Sequence, residues 1–152
     1  METLNLPTYE FRTAEREEKR VIYDPLREQY VRLTPEEWVR QHFVQYLIQT
    51  LNAPAGLVAV EAAFQYQGQP RRADVIVHDR QGDPLLLVEC KAPRVSIDQD
   101  AFDQCARYNI VLGAPYLVVT NGQTHYACAI DFEARHYTFL DDLSPYEQLT
   151  DV

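Results

Sequence analysis

Two stretches, Ala73-Asp74-Val75-Ile76-Val77-His78 and Pro84-Leu85-Leu86-Leu87-Val88-Glu89-Cys90-Lys91-Ala92-Pro93, decide the fold of this 152-residue chain. The first is rich in β-branched residues and is closed by the turn signal Asp79-Arg80-Gln81-Gly82-Asp83. The second carries an unbroken aliphatic run, Leu85 to Val88, which suits a central strand covered on both faces. Pro93 stops it. A short turn makes the two strands antiparallel neighbours, so the start of one lies beside the end of the other. Asp74 then falls opposite the Glu89 region. Glu89 and Lys91, two apart on a strand, project from one face.

Working outward, Leu57 to Tyr66 reads as a strand broken at Gly68-Gln69-Pro70, and the three strands form an antiparallel meander. A helix precedes them. Thr34-Pro35-Glu36-Glu37 supplies an N-cap, a proline at the first helical position and a capping-box glutamate. Val39, Phe43, Tyr46 and Leu47 follow at helical spacing, until Asn52-Ala53-Pro54. Beyond Pro93 a second helix fits Ile97 to Leu112, ended by Gly113-Ala114-Pro115. Tyr116 to Thr120 and Thr124 to Ile130 flank the hairpin signal Asn121-Gly122, and Tyr137 to Leu140 adds an edge.

The expected fold class is therefore α/β (α+β), a mixed central sheet flanked by helices in the order αβββαββ. Residues 1–33 form an N-terminal extension packed on the main body. In it Arg20 to Tyr23 and Gln29 to Leu33 pair as a short hairpin around Asp24-Pro25. Residues 34–140 make the main domain, and 141–152 an acidic tail of loose helix or coil.

Composition bounds the function. Hydrophobic residues at 46% and charged ones at 24% exclude bulk disorder. No apolar run approaches the roughly 20 residues of a membrane span. The first ten residues lack a secretory signal pattern, so the expected compartment is cytoplasmic. A net charge of −9 argues against coating nucleic acid non-specifically, but leaves room for a local basic patch. Cys90, Cys105 and Cys128 are odd in number and widely spaced, so reduced thiols that fill space are expected. The four histidines show no paired metal-ligand spacing, and no Ser, His and acid grouping has a hydrolase context.

A charged pair that closes a buried strand costs desolvation free energy unless it is compensated or used. Asp74 and Glu89 together suit Mg²⁺, with Mn²⁺ as substitute and the Cys90 carbonyl as a third oxygen donor. A metal-bound water becomes a nucleophile, and Lys91 is suited to orient it and to offset charge on a phosphate.

Arg72-Ala73-Asp74-Val75-Ile76-Val77, then Leu86-Leu87-Val88-Glu89-Cys90-Lys91, resembles the D…(D/E)xK signature of the PD-(D/E)xK nuclease superfamily. Gln104-Cys105-Ala106-Arg107-Tyr108 resembles the Q-xxx-Y element on the following helix of a subset of these nucleases. Over roughly residues 20–140 the combination resembles the N-terminal nuclease domain of type I restriction enzyme R subunits, above all short bacterial proteins that hold only this domain. Asp24-Pro25-Leu26-Arg27, Thr34-Pro35-Glu36-Glu37 and Val119-Thr120-Asn121-Gly122 take part in the likeness.

The resemblance implies a restriction-endonuclease-like core and metal ligation by Asp74 and Glu89. It implies catalysis by Lys91, with Gln104 and Tyr108 flanking the site. Glu37 is a weaker candidate ligand, with Glu36 next to it, and capping is its other role. Ala73 stands where the superfamily's pattern has proline. No G-xxxx-G-K-[ST] occurs, so no ATP binding is expected of this chain. The reading is a metal-dependent DNA endonuclease module. Its alternative is a non-catalytic DNA- or protein-binding module that retains the fold, and a protein partner or a homodimer is left open. Arg71, Arg72, Arg94 and Arg107 are the DNA-contact candidates, expected to gather with Lys91 around the site. Asp98, Asp100 and Asp103 oppose them, so binding to free DNA should be weak and strongly reduced by salt.

Overall fold

The structure is a computed structural model and describes residues 1–151; Val152, the last residue of the expected tail, lies outside them. Among the described residues nine strands form two sheets, accompanied by three α-helices. Strands β1 (Thr13–Arg16), β2 (Lys19–Asp24) and β3 (Gln29–Arg32) form an antiparallel sheet of three. Helix α1 (Pro35–Gln45) is capped by the Thr34 hydroxyl, which accepts from the Glu37 N–H at 3.0 Å, and runs on through a π-helical turn over Tyr46–Thr50.

Strands β4 (Val58–Tyr66), β5 (Gln69–His78) and β6 (Pro84–Cys90) make the meander. Helix α2 (Gln99–Leu112) then carries the chain across to β7 (Tyr116–Thr120), which pairs parallel with β6. Strands β8 (His125–Asp131) and β9 (His136–Leu140) complete a six-stranded mixed sheet in the order β4-β5-β6-β7-β8-β9.

The aliphatic runs are buried because each face of the sheet carries a helix. Val75, Val77, Leu86 and Val88 pack with Val39, Phe43 and Leu47 of the α1 side. Ile76, Leu87, Leu117 and Val119 pack with Phe102 and Cys105 of α2. Alternation along β6 thus sends successive side chains into two different cores.

Four sequence expectations need correction. The extension holds the expected hairpin, as β2 and β3, and a further strand, β1, which was missed because it is short, exposed and charged and carries no hydrophobic period. The β4–β5 turn falls at Gln67-Gly68, and Pro70 lies inside β5. At that end β5 extends past its pairing with β6, so the missing proline N–H breaks no ladder there. The tail is docked, not loose: helix α3 (Tyr146–Leu149) buries Tyr146 and Leu149, and the Tyr146 hydroxyl donates to the His78 carbonyl at 2.9 Å. Helix α2 begins at Gln99, with Asp98 as its cap.

The extension does pack on the body. Leu4 is buried, and the Asn5 N–H donates to the Gly122 carbonyl at 2.8 Å. Among the described residues no helix is long and apolar enough to cross a membrane.

Candidate active site

The site lies where β5 and β6 meet the first turns of α1. The β5–β6 register pairs Val75 with Val88, and beyond that point Asp74 takes over the strand's hydrogen bonding. Its Oδ2 accepts the Cys90 N–H at 2.7 Å. On the other side, the β4–β5 ladder pairs Val60 with Val75 and Ala62 with Ala73, leaving Glu61 and Asp74 unpaired. Glu61 sits at φ 57°, a left-handed conformation that kinks β4 here. Ala73 and Val75, two apart, pack into different cores. The strand therefore rolls over at Asp74, and its carboxylate reaches α1.

There it meets Arg40. The Nη2 of Arg40 lies 2.7 Å from Asp74 Oδ1 and 2.8 Å from Glu61 Oε1, and its Nη1 lies 2.7 Å from Glu37 Oε1. Arg40 is buried, and its four-carboxylate surroundings, Glu36 included, hold the guanidinium firmly charged against the opposing effect of burial. Arg27 adds a bond to Glu37 Oε1 at 2.9 Å. Arg27 is in turn held by Asp24 of β2, and Gln41 bridges Asp24 and Glu37 with its amide nitrogen. A continuous chain of charge thus runs from the N-terminal sheet to Asp74: Asp24, Arg27, Glu37, Arg40, Asp74.

Glu37 needs correction as a ligand candidate. One oxygen is shared by Arg27 and Arg40 and the other is bonded by Gln41, so three of roughly four lone-pair positions are used and two guanidinium groups already balance its charge, which leaves it a poorer ligand than Asp74. Its backbone N–H serves the cap.

Glu89 is different. It follows Leu87 on the α2 side of β6, and among the described residues no cation lies at ion-pair distance from it. Burial, and then the neighbouring charge of Asp74, push its carboxyl up to about 9, with Lys91 pulling the other way. An uncompensated acid of this kind needs a proton or a cation. Lys91 follows β6 directly, anchored by its N–H on the Thr120 carbonyl at 2.8 Å. It is half-exposed and has no carboxylate at ion-pair distance among the described residues.

A hard cation fits the donors. Arg40 and the Cys90 N–H use two of the roughly four lone-pair positions of the Asp74 carboxylate. The remainder, with Glu89 and the Cys90 carbonyl, offers oxygen alone, the chemistry Mg²⁺ and Mn²⁺ prefer while keeping several waters. Among the described residues no group of three or more His, Cys, Asp or Glu side chains is arranged as a metal cage. The thiols are not nucleophiles. All three cysteines are unpaired and buried, and burial pushes Cys105 up to about 12 and Cys128 up to about 11.

The helix α2 pair splits. Tyr108 packs edge-on against Phe64 and Tyr66 of the β4–β5 hairpin, with ring centroids 5.7 and 4.9 Å away. Gln104 accepts from Arg107 Nη2 at 2.7 Å. The arginines do not gather as expected. Arg94 lines a hollow with Pro35 and Trp38 beside α1, whereas Arg107 lines another with Ile130 and Tyr137 beside α2, on the opposite face. Arg71 and Arg72 lie exposed on the β4–β5 hairpin, Arg72 3.8 Å from Glu61. A hollow of about 550 Å³ between the N-terminal segment, α1 and the tail contains none of Asp74, Glu89 and Lys91.

Arg40, Glu61, Asp24, Arg27 and Gln41 were not singled out as site residues from the sequence. The i,i+3 and i,i+4 spacing of Arg40 from Glu37 and Glu36 was a visible signal of pairing. Nothing local announced its bond to an aspartate 34 residues away.

A mixed sheet with a helix on each face, and acids gathered where β5 and β6 meet α1, defines a restriction-endonuclease-like core. The sequence profile of the family described as type I restriction enzyme R protein N terminus matches residues 35–144, and the chain belongs to that family. A solved fragment of an HsdR subunit of a type I restriction enzyme from Vibrio vulnificus YJ016 has a similar fold, with a TM-score of 0.55 at 21% identity. The match covers 78% of this chain and 25% of that one, so the chain spans about a quarter of its length. No curated protein sequence matches.

Proposed function

We propose that this chain is a divalent-metal-dependent endodeoxyribonuclease module. The carrying observation is Glu89, a carboxyl beside Asp74 with no cationic partner among the described residues, in a chain of the R-protein N-terminal family. Asp74, Glu89 and the Cys90 carbonyl would hold Mg²⁺ or Mn²⁺, which lowers the proton affinity of a bound water and screens phosphate charge. The chain's own residues do the rest. Asp74 is pre-oriented by two donors from different elements, Arg40 of α1 and the Cys90 N–H of β6. Lys91 presents an ammonium group free to meet the developing charge on the scissile phosphate. Tyr108 braces the hairpin side of the rim, and Gln104 lies one turn before it on α2, held by Arg107.

The test is cleavage of supercoiled DNA with Mg²⁺ or Mn²⁺. Asp74→Ala, Glu89→Ala and Lys91→Ala should each reduce it to background, and undiminished activity in all three sinks the reading. A second reading is favoured by the Arg40–Asp74 pair, in which a guanidinium already supplies the positive charge: a non-catalytic DNA- or protein-binding module. Calorimetry separates the two, since that module would take up no Mn²⁺ at millimolar concentration.

A further inference from the structure

The N-terminal sheet has two unlike faces. Ile22 and Asp24 point inward and are buried. Across the sheet, Arg16 opposes Lys19, Val21 opposes Arg32, and Tyr23 opposes Tyr30. Arg12 continues the edge, its carbonyl accepting the Tyr23 N–H at 2.8 Å. Residues directly opposed share a face, as do residues two apart. Arg12, Arg16, Lys19 and Arg32 therefore stand together on the outer face with Tyr23 and Tyr30.

The guanidinium of Arg12 lies 4.1 Å from the Tyr23 ring centroid and that of Arg16 lies 4.2 Å from Tyr30. The two rings meet edge-on at 5.3 Å. Among the described residues none of the four cations has a carboxylate at ion-pair distance. The sheet's acids are placed elsewhere. Glu15 and Asp24 belong to the inner face, and Glu17, Glu18 and Glu28 occupy the two turns.

We propose that this outer face grips the phosphate backbone of duplex DNA. In a chain of net charge −9, four unpaired cations on one small face are a concentrated exception, complementary to a polyanion. Stacking on tyrosine fixes two of the guanidinium groups without neutralising them. It also covers the aromatic faces, so they are not a platform for unstacked bases, and a duplex is favoured over a single strand. The inner face leads through Asp24, Arg27, Glu37 and Arg40 to Asp74, so a grip here is rigidly tied to the acids. The choice of DNA over another polyanion rests on the nuclease reading above; the grip itself requires no catalysis.

Binding of a fluorescein-labelled 20-base-pair duplex to the full chain, in chelator and over a series of salt concentrations, tests this. Lys19→Gln/Arg32→Gln alters the two cations that stack on no ring, and should weaken binding about tenfold at low salt. Its log–log salt slope should be shallower by roughly 1.8, about 0.9 for each lost phosphate contact. Arg12→Gln/Arg16→Gln, checked for folding by circular dichroism, should act in the same sense. Unchanged affinity and slope overturn the proposal, as does a loss confined to Arg71→Gln/Arg72→Gln. Equal affinity for polyglutamate overturns it in favour of an acidic protein partner, and tighter binding of a single strand removes the duplex. Binding that depends on Lys19 and Arg32 without cleavage in Mn²⁺ supports the grip and sinks only the nuclease reading.

Discussion

The Nη2 of Arg40 lies 2.7 Å from Asp74 Oδ1, and the same guanidinium reaches Glu37 and Glu61. One buried cation thus serves several carboxylates contributed by a helix and two strands. Removing one partner of such a cluster leaves charges buried and unpaired, at a cost of ~3 kcal/mol or more. Arg40→Met should lower the urea midpoint accordingly, and Arg40→Lys should recover only part, because an ammonium cannot span the same oxygens. A midpoint unchanged in Arg40→Met would show that the cluster contributes nothing to the fold.

Asp24 gives the other end of that chain a pH signature. Burial alone would push its carboxyl up, but the Arg27 side chain and the N–H groups of Arg27 and Leu26 outweigh it and hold it below 3.8. A depressed folded-state value means stability that is complete above about pH 4 and is lost as pH falls through the folded value. Urea midpoints measured from pH 6 down to pH 2 should fall more steeply for the wild type than for Asp24→Asn. Parallel curves would remove Asp24 from the acid transition.

Much of the sheet was legible because its residues face one environment each. Leu85 to Val88 read as a doubly covered strand, and β6 is covered by α1 on one side and α2 on the other. Thr34 read as a cap from a spacing of three residues, and it is one. Asp74 beside Glu89 also followed from an antiparallel turn. What did not show was anything set by distant partners. Arg40 drew no attention in the sequence, since a sequence does not say which face another strand's aspartate will approach. The arginines were grouped by their nearness along the chain to the motif, and the sheet separates Arg94 from Arg107. β1 is held by its register with β2 and not by a pattern of its own.

Gly122 tests the docking of the first residues. It sits at φ 85°, and a Cβ there would meet Leu4 Cδ2 at 2.8 Å and Val39 Cγ2 at 3.1 Å. Gly122→Ala should cost about 1–3 kcal/mol through left-handed strain and displacement of Leu4. Thermal unfolding checks it, and protease cleavage near residues 1–10 should quicken as the segment is lifted. A variant as stable as wild type would mean that the N-terminal segment adds nothing over the turn.

The tail supplies a further check. Tyr146 is 1% exposed, its ring seated in the α1-side core and its N–H bonded to the Leu51 carbonyl at 2.8 Å. Tyr146→Ala should lower stability by about 3 kcal/mol, whereas Tyr146→Phe removes only the bond to His78 and should cost about 1 kcal/mol. Equal, small losses in denaturant titrations would indicate a tail that does not belong to the core.

Glu89 ties stability to the proposed chemistry. Its folded-state value is raised, so its contribution is fully present below about pH 4.5 and is lost as pH rises through about 9. In chelator the wild type should therefore weaken between pH 5 and pH 9. Glu89→Gln places a neutral amide where the acid must ionise, so it should hold its melting temperature across that range and exceed the wild type at the alkaline end. Millimolar Mn²⁺ should then raise the wild type at pH 8 by binding the folded state, and leave Glu89→Gln nearly unmoved. Parallel pH curves in chelator would show that this carboxyl is stably ionised by a partner, and an equal Mn²⁺ shift in both proteins would place any metal elsewhere. Only divergence in chelator, followed by selective rescue, is what an unpaired acid awaiting a cation requires.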